Sequence, residues 1–179
     1  MTVVSRELRG LAAMLVGAAL ALGACGGAGE NARRTDMDAG SSLTLGLRLD
    51  ALDGGEIDLA RYRGRVVVLH LFDTDSPAAA LDAEKLTRLA SERRDRATVV
   101  GICLDREGYP MAAAWRRALR VRYLIALADQ QLRDGKTPLG RVRVVPTTYL
   151  LDRTGHLAHR IEGPLRPGEV ERLVDDLLD

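Results

Sequence analysis

The stretch that decides the fold is VPTTYLLDRTG, residues 145–155. Its first part is apolar around Pro146 and predicts a strand over residues 144–151, which the proline interrupts. The DRTG segment at residues 152–155 is a hairpin turn signal, so residues 156–161 are predicted to pair back antiparallel. The C-terminal part of the chain is therefore expected to contain an antiparallel hairpin that starts at a proline.

A second informative stretch, GRVVVLHLF at residues 64–72, is almost continuously apolar. A run of that length and composition predicts a central strand buried on both faces. Ser76 and Pro77 follow it in the chain. Since serine is a good helix N-cap and proline suits the first helical position, a helix is predicted from Pro77 to about residue 93.

The remaining segments continue this alternation of strands and helices. Further strands are predicted at residues 43–49, 56–59, 97–104 and 123–128, and further helices at residues 111–120, at residues 138–142 and around Val170, Leu173, Val174, Leu177 and Leu178. These five apolar residues have the spacing of one helix face. We therefore predict an α/β fold over residues 43–179, with a central mixed β-sheet flanked by helices on both faces.

The composition excludes several classes of function. The 179 residues include 46% apolar and 28% charged residues with a formal net charge of +1, which gives no reason to expect nucleic acid as a partner. Two cysteines cannot build a disulfide scaffold, and three scattered histidines do not predict a metal site. Aromatic residues make up only 3% of the chain, so no stacking platform is expected. We expect no metal and no cofactor.

The N-terminal residues are typical of an export signal. Arg6 and Arg9 precede an uncharged apolar run at residues 11–22. As a helix this run would span about 18 Å, against about 30 Å for the hydrocarbon core of a bilayer, which is the layout of a secretory signal peptide. The run ends in LGAC, residues 22–25, which resembles the bacterial lipoprotein signal. The resemblance implies that residues 1–24 are removed and that Cys25 carries a diacylglycerol.

A lipid on Cys25 would place the protein in the bacterial cell envelope, with the membrane as its partner through the lipid. Because Gly26, and not aspartate, follows the cysteine, the resemblance implies the outer membrane if the host has two membranes. Residues 25–42 are rich in Gly, Ala, Asp and Arg without an apolar period, so they are predicted to form a flexible tether with a reach of roughly 20–25 Å.

Three stretches together resemble the thioredoxin fold, specifically the membrane-anchored redoxins of the TlpA and ResA type in the AhpC/TSA-redoxin superfamily. They are LRLDALDG at residues 47–54, GRVVVLHLF at residues 64–72 and VPTTYLLDRTG at residues 145–155. The resemblance covers residues 43–179 and implies a thioredoxin-like domain. It also implies a site for thiol–disulfide exchange at the start of the helix that follows residue 72.

The sequence departs from the family at that site. The family has Trp-Cys-x-x-Cys where this chain has DSPAA at residues 75–79, so Ser76 replaces the attacking cysteine and Ala79 the resolving one. A serine hydroxyl stays protonated near neutral pH and does not cycle through a disulfide. With Cys25 consumed by the lipid, Cys103 is the one remaining thiol, and its apolar surroundings predict a raised pKa and low reactivity. We expect no catalytic residue at this site.

The family's peptide-binding surface is retained in the sequence. The resemblance implies that Pro146 follows a cis peptide bond beside the helix N-terminus, and that Val145, Pro146 and Thr147 receive an extended peptide by strand-like pairing. We favour a redox-inactive module that binds a peptide or an envelope protein. A thiol–disulfide oxidoreductase or peroxiredoxin-like enzyme acting through Cys103 is one alternative, and a structural spacer of the envelope is the other.

The predicted anchor can be tested at one atom. In Cys25→Ala, incorporation of a labelled fatty acid should be lost, because the cysteine sulfur is the predicted site of acyl attachment. The matched control is Cys103→Ala, which should incorporate the label like the wild type. Label is measured on the immunoprecipitated protein, and label that persists in Cys25→Ala contradicts the anchor.

Overall fold

A computed structural model describes residues 47–179 and shows one mixed sheet of seven strands. In chain order the strands are β1 (Arg48–Ala51), β2 (Glu56–Asp58), β3 (Val66–Phe72), β4 (Ala97–Cys103), β5 (Leu124–Leu127), β6 (Thr147–Leu151) and β7 (Leu157–Glu162). Their order across the sheet is β2-β1-β5-β4-β3-β6-β7. The three central strands β5, β4 and β3 are parallel, and the antiparallel strands β1 and β6 pair with their two outer edges. The predicted mixed sheet is confirmed.

Helices cover both faces of this sheet, although unequally. They are α1 (Pro77–Glu92), α2 (Gly108–Ala118), α3 (Gln130–Arg133) and α4 (Glu169–Leu178), with a 3-10 turn at Leu59–Tyr62. The apolar side chains of α1, α2 and α4 pack in one core layer, whereas those of α3 and the 3-10 turn pack in the other. Right-handed crossovers from β3 to β4 and from β4 to β5 place α1 and α2 on the same face, because both steps move across the sheet in one direction.

Strand β3 is the centre of both core layers, since all seven of its residues are buried. Val66, Val68 and Phe72 contribute to the layer beneath α1, and the alternate residues contribute to the opposite layer. The ring of Phe72 stacks on the ring of Trp115 in α2, with a centroid separation of 4.3 Å. This alternation along one strand confirms the prediction, made from its continuous apolar run, of a strand buried on both faces.

A buried polar contact fastens α1 to the segment that leads into α4. The Asp82 carboxylate accepts the Leu165 N–H at 3.0 Å and 3.2 Å to its two oxygens. The Lys85 ammonium donates to Asp82 Oδ1 at 2.9 Å and to the Leu165 carbonyl at 2.5 Å. Burial raises the pKa of Asp82, and its hydrogen bonds to Lys85 and Leu165 act in the opposite direction. These hydrogen bonds fix the Asp82 side chain and join α1 to Leu165.

Two local predictions are wrong. Residues 138–142 do not form the predicted helix; the short helix in this region is α3, and the Asp129 side chain caps it by accepting the Leu132 N–H at 2.7 Å. Helix α2 begins at Gly108, three residues before the predicted start, because Pro110 falls in its first turn, where a missing backbone N–H costs no helical hydrogen bond.

The predicted signal peptide at residues 1–24, the tether with Cys25 and the start of the first predicted strand lie outside the described residues. Within residues 47–179, the longest and most apolar helices still fall short of what is needed to cross a membrane.

Candidate functional site

The candidate site lies at the carboxyl end of β3, where three parts of the chain meet. The antiparallel register pairs Leu71 with Thr147, so the residue before β6, Pro146, lies beside the end of β3. The parallel register pairs Phe72 with Cys103 on the other side. Since α1 starts only a few residues after Phe72, the sheet brings the helix N-terminus, the proline and the thiol to one edge.

Ser76 and Ala79, the residues that the sequence resemblance aligned with the family's cysteines, lie in the first turn of α1. Ser76 is the N-cap, and its hydroxyl oxygen accepts the backbone N–H of Ala79 at 3.3 Å. Pro77 occupies the first turn, as predicted from its type. Ala79 is fully buried in the core layer beneath α1. The serine hydroxyl therefore stabilises the helix start, and the alanine methyl contributes to packing.

The predicted peptide-binding residues lie at the edge of the sheet where β3 ends and the chain leads into α1. The Val145–Pro146 peptide bond is cis. The Thr147 hydroxyl donates to the Val144 carbonyl at 2.5 Å, and the Pro146 carbonyl accepts the Gly163 N–H at 2.8 Å. Among residues 47–179, Val145 forms no backbone hydrogen bond, and its side chain is half-buried. The hydrogen bonds of Thr147 and Pro146 thus hold Val145 in place, while the backbone N–H and C=O of Val145 stay unpaired within the described part of the chain.

Three carboxylates surround the start of α1. Asp73 and Asp75 belong to the loop that precedes the helix, and the Asp105 carboxylate accepts the Thr74 N–H at 3.0 Å. Burial raises the pKa of Asp73, and the charges of Asp105 and Asp75 raise it further. The site is therefore acidic, which disfavours a bound anion or a thiolate at this helix N-terminus.

Asp73 and Asp75 lie close to Ser76 in the sequence, whereas Asp105 is not identified from the sequence as part of this site. The available signal was the position of Asp105 directly after a strand parallel to β3, since the carboxyl ends of parallel strands meet at one edge of a sheet.

Cys103 is fully buried at the end of β4. Its thiol donates to Asp105 Oδ2 at 3.0 Å. Burial, reinforced by the hydrogen bond to Asp105, raises the pKa of Cys103 to about 12. Because the thiolate is the nucleophilic form, this environment keeps the thiol inert near neutral pH, as predicted from its apolar surroundings.

His70 is the other buried titratable group behind the site. Its Nδ1 lies 3.0 Å from the Thr148 hydroxyl oxygen, inside the sheet. Burial lowers the pKa of His70 to about 3, and the charge of Lys85 adds to the effect, so the imidazole is neutral at physiological pH. Within residues 47–179, no group of three histidine, cysteine or acidic side chains is arranged to hold a metal ion.

Several solved structures share this fold. A DsbF homologue from Corynebacterium diphtheriae is 21% identical with a TM-score of 0.71, covering 81% of this chain and 93% of that chain. A secreted thiol-disulfide isomerase from Corynebacterium glutamicum is 20% identical with a TM-score of 0.67, covering 74% and 83%. The exposed lipoprotein thioredoxin of Streptococcus pneumoniae is 18% identical with a TM-score of 0.62, covering 73% and 98%. These identities establish the thioredoxin-like fold alone.

At the level of sequence, none of the curated proteins compared with this chain matches it. The family model described as Redoxin matches residues 35–177, which is most of the chain and includes the whole sheet. The chain belongs to the Redoxin family and has a thioredoxin-like fold related to that of thiol–disulfide oxidoreductases.

Proposed function

We propose that this protein is a lipid-anchored thioredoxin-like module of the bacterial cell envelope that binds extended peptide segments and does not exchange disulfides. The observation that carries the proposal is the combination of a complete scaffold with a helix start that carries no sulfur at either of the two family positions. The N-capped helix α1 and the turn at Pro146 are in place, whereas Ser76 and Ala79 occupy the two positions that the resemblance assigns to cysteine.

The chemistry of these residues argues against thiol exchange. A serine alkoxide is not accessible near neutral pH, and the Ser76 hydroxyl oxygen already accepts a hydrogen bond from the helix backbone. Cys103 is buried and bonded to Asp105, and a lone thiol cannot close an internal disulfide. The carboxylates of Asp73 and Asp75 oppose a thiolate at the same place.

Peptide binding is supported by the backbone at Val145. An extended peptide lying beside residue 145 would gain two main-chain hydrogen bonds, as in the addition of a strand to a sheet edge. The hydrogen bonds of Thr147 and Pro146 to their neighbours hold the peptide unit in position, which reduces the ordering cost of binding. The nearby carboxylates favour a peptide that carries lysine or arginine.

The envelope location rests on the residues before the described part of the chain. The basic start, the apolar run and the LGAC sequence at residues 22–25 support export and lipid attachment at Cys25. Of the similar structures, one is a secreted protein and one an exposed lipoprotein by their own descriptions.

Thiol reactivity separates this function from an enzyme that acts through Cys103. The rate of iodoacetamide labelling at Cys103 is the difference between the wild type and Cys103→Ala. This rate should be at least roughly a hundredfold lower in the native protein than in urea, because burial raises the thiol pKa to about 12. At pH 9 the labelling of Cys103 should still be slow, whereas the exposed thiol in Leu81→Cys should react faster than at pH 7 as it ionises. Rapid native labelling of Cys103 would favour the enzyme.

Redox chemistry is tested by restoring the missing sulfur. The wild type should not accelerate insulin reduction by dithiothreitol. Ser76→Cys/Ala79→Cys should form a disulfide couple measurable in glutathione buffers, because the cap and the third residue of a helix lie one turn apart. Each single substitution is a control that lacks a partner sulfur at the site. Wild-type turnover would contradict redox inactivity, and a folded but inert double variant would contradict the alignment of the site.

Peptide binding is tested at the backbone of Val145. Val145→Pro removes the N–H donor and should weaken binding to an array of short unstructured peptides by roughly tenfold, the value of one good hydrogen bond left unmade. Val145→Ala keeps both backbone groups and should bind like the wild type. Circular dichroism and thermal unfolding establish that both variants are folded. Absence of peptide binding by the wild type would favour the spacer, and equal binding by both variants would remove the backbone of Val145 from the site.

A further inference from the structure

Charge is segregated along the strand direction, although the chain carries 26 basic and 25 acidic residues in total. The loops that leave the parallel strands β3, β4 and β5 carry one basic residue, Arg106, and the acidic residues Asp73, Asp75, Asp105, Glu107 and Asp129. The loops that enter β4 and β5 carry one acidic residue, Asp95, and the basic residues Arg93, Arg94, Arg96, Arg120 and Arg122. The candidate site therefore lies at an acidic end of the sheet, and arginines collect at the opposite end.

Two adjoining cavities at the basic end form a groove between α1, α2 and the loop that follows α2. One has a volume of about 570 Å3 and lies on the α2 side, and the other has a volume of about 730 Å3 and lies on the α1 side. Arg120 and Arg122 line both. We call this feature the arginine groove. Its charged lining consists of the acidic residues Asp53 and Glu84 and the arginines Arg88, Arg116, Arg117, Arg120 and Arg122.

Three of these arginines have no acidic partner among residues 47–179. Arg116 pairs with Asp53 at 2.5 Å and Arg88 with Glu171 at 2.8 Å. The side chains of Arg117, Arg120 and Arg122 form no ion pair within that range and are exposed. Like charges gathered on one surface repel each other, so a counter-anion would stabilise this arrangement.

Interaction with the dipole of α2 explains the positions of only some arginines in the arginine groove. Arg116 and Arg117 lie in the last turn of α2, where positive charge complements the partial negative charge of the helix end. Arg120 and Arg122 lie beyond the helix, and Arg120 adopts the left-handed conformation with φ of 52°. Both belong to the turn into β5, and both line the groove.

An exposed apolar side chain lies beside the arginines. Leu119 is 37% exposed and lines the α1 side of the groove. Tyr109, 62% exposed, lines the α2 side from the first turn of α2, where it also borders Asp105 and Glu107 of the acidic end. Surfaces that combine arginine with aromatic and aliphatic residues bind the interface of anionic membranes, because guanidinium groups pair with phosphate while the apolar groups enter the headgroup region.

We propose that the arginine groove docks the domain on the anionic phospholipid surface of the membrane to which it is anchored. The proposal rests on the anchored function proposed above. Because β1 runs antiparallel to β5, the described chain begins at Leu47 on the acidic end, so the predicted tether would have to run the length of the sheet for the basic end to reach the bilayer. At about 3.3 Å per extended residue, residues 26–46 are long enough for this. Docking by the basic end turns the acidic end, with Ser76 and Val145, away from the membrane. The peptide-binding site then faces the compartment from which its ligands come.

The test compares two labelled positions on the full chain reconstituted in vesicles. An environment-sensitive dye is attached at Leu119→Cys beside the groove or at Leu81→Cys on α1, an exposed leucine 68% accessible near the candidate site. Both proteins retain Cys25 and Cys103, so any dye on those residues contributes equally. In vesicles of phosphatidylcholine and phosphatidylglycerol, lipids with a headgroup quencher should quench position 119 at least threefold more than position 81. In phosphatidylcholine alone, or in high salt, the difference should disappear.

Charge reversal supplies the second arm. Arg120→Glu/Arg122→Glu should lower the ratio of docked to undocked protein by roughly 25-fold or more, since each arginine near an anionic surface contributes about a factor of five. Arg141→Glu/Arg143→Glu makes the same change in charge at exposed residues outside the groove, and should dock like the wild type.

The outcomes separate the docking from the anchor. If the protein is retained on both kinds of vesicle but positions 119 and 81 are quenched equally, the docking is overturned and the anchor stands. The docking is also overturned if Arg120→Glu/Arg122→Glu docks like the wild type. Release of the wild-type chain from both kinds of vesicle would overturn the anchor and the docking together. Binding of a polyglutamate peptide by the groove, with position 119 unquenched on anionic vesicles, would assign the surface to an acidic protein and overturn membrane docking.

Discussion

The burial of β3 on both faces is the constraint on which the rest of the structure depends. A strand with all of its side chains in the core must lie in the middle of a sheet and be covered on both sides. Its register with β6 and β4 then fixes what lies at its carboxyl end, namely the start of α1, Pro146 and Cys103. The candidate site is a consequence of this pairing, and no single loop creates it.

The same scaffold supports different chemistry when two side chains change. The N-cap position of α1 accepts either a thiol or a hydroxyl, but only a thiolate exchanges disulfides near neutral pH. Here the hydroxyl of Ser76 caps the helix, and the surrounding carboxylates of Asp73 and Asp105 suit a cation better than a thiolate. Membership of the Redoxin family therefore describes the architecture, and the residues at the site decide which of its activities the chain retains.

The proposed peptide site and the proposed membrane surface use opposite ends of the same parallel strands. The loops entering these strands and the loops leaving them are separated by the length of the sheet, so each end can carry its own charge without mutual neutralisation. A chain of nearly balanced charge thereby has an acidic end with the backbone of Val145 and a basic end with Arg120 and Arg122. The net charge of the whole chain therefore indicates neither the acidic end nor the basic end.

By itself, the sequence determined the mixed sheet, the burial of β3, the N-cap at Ser76 and the inert character of Cys103, because apolar periodicity and capping chemistry are local properties. It failed at residues 138–142, which form no helix, and at the start of α2, which lies three residues earlier than predicted because Pro110 fits its first turn. Only the tertiary structure decided that Asp105 accepts the Thr74 N–H before α1 and that Arg117, Arg120 and Arg122 share a groove with α1. Those contacts join residues from different crossovers of the sheet, and a one-dimensional pattern does not contain the distances between them.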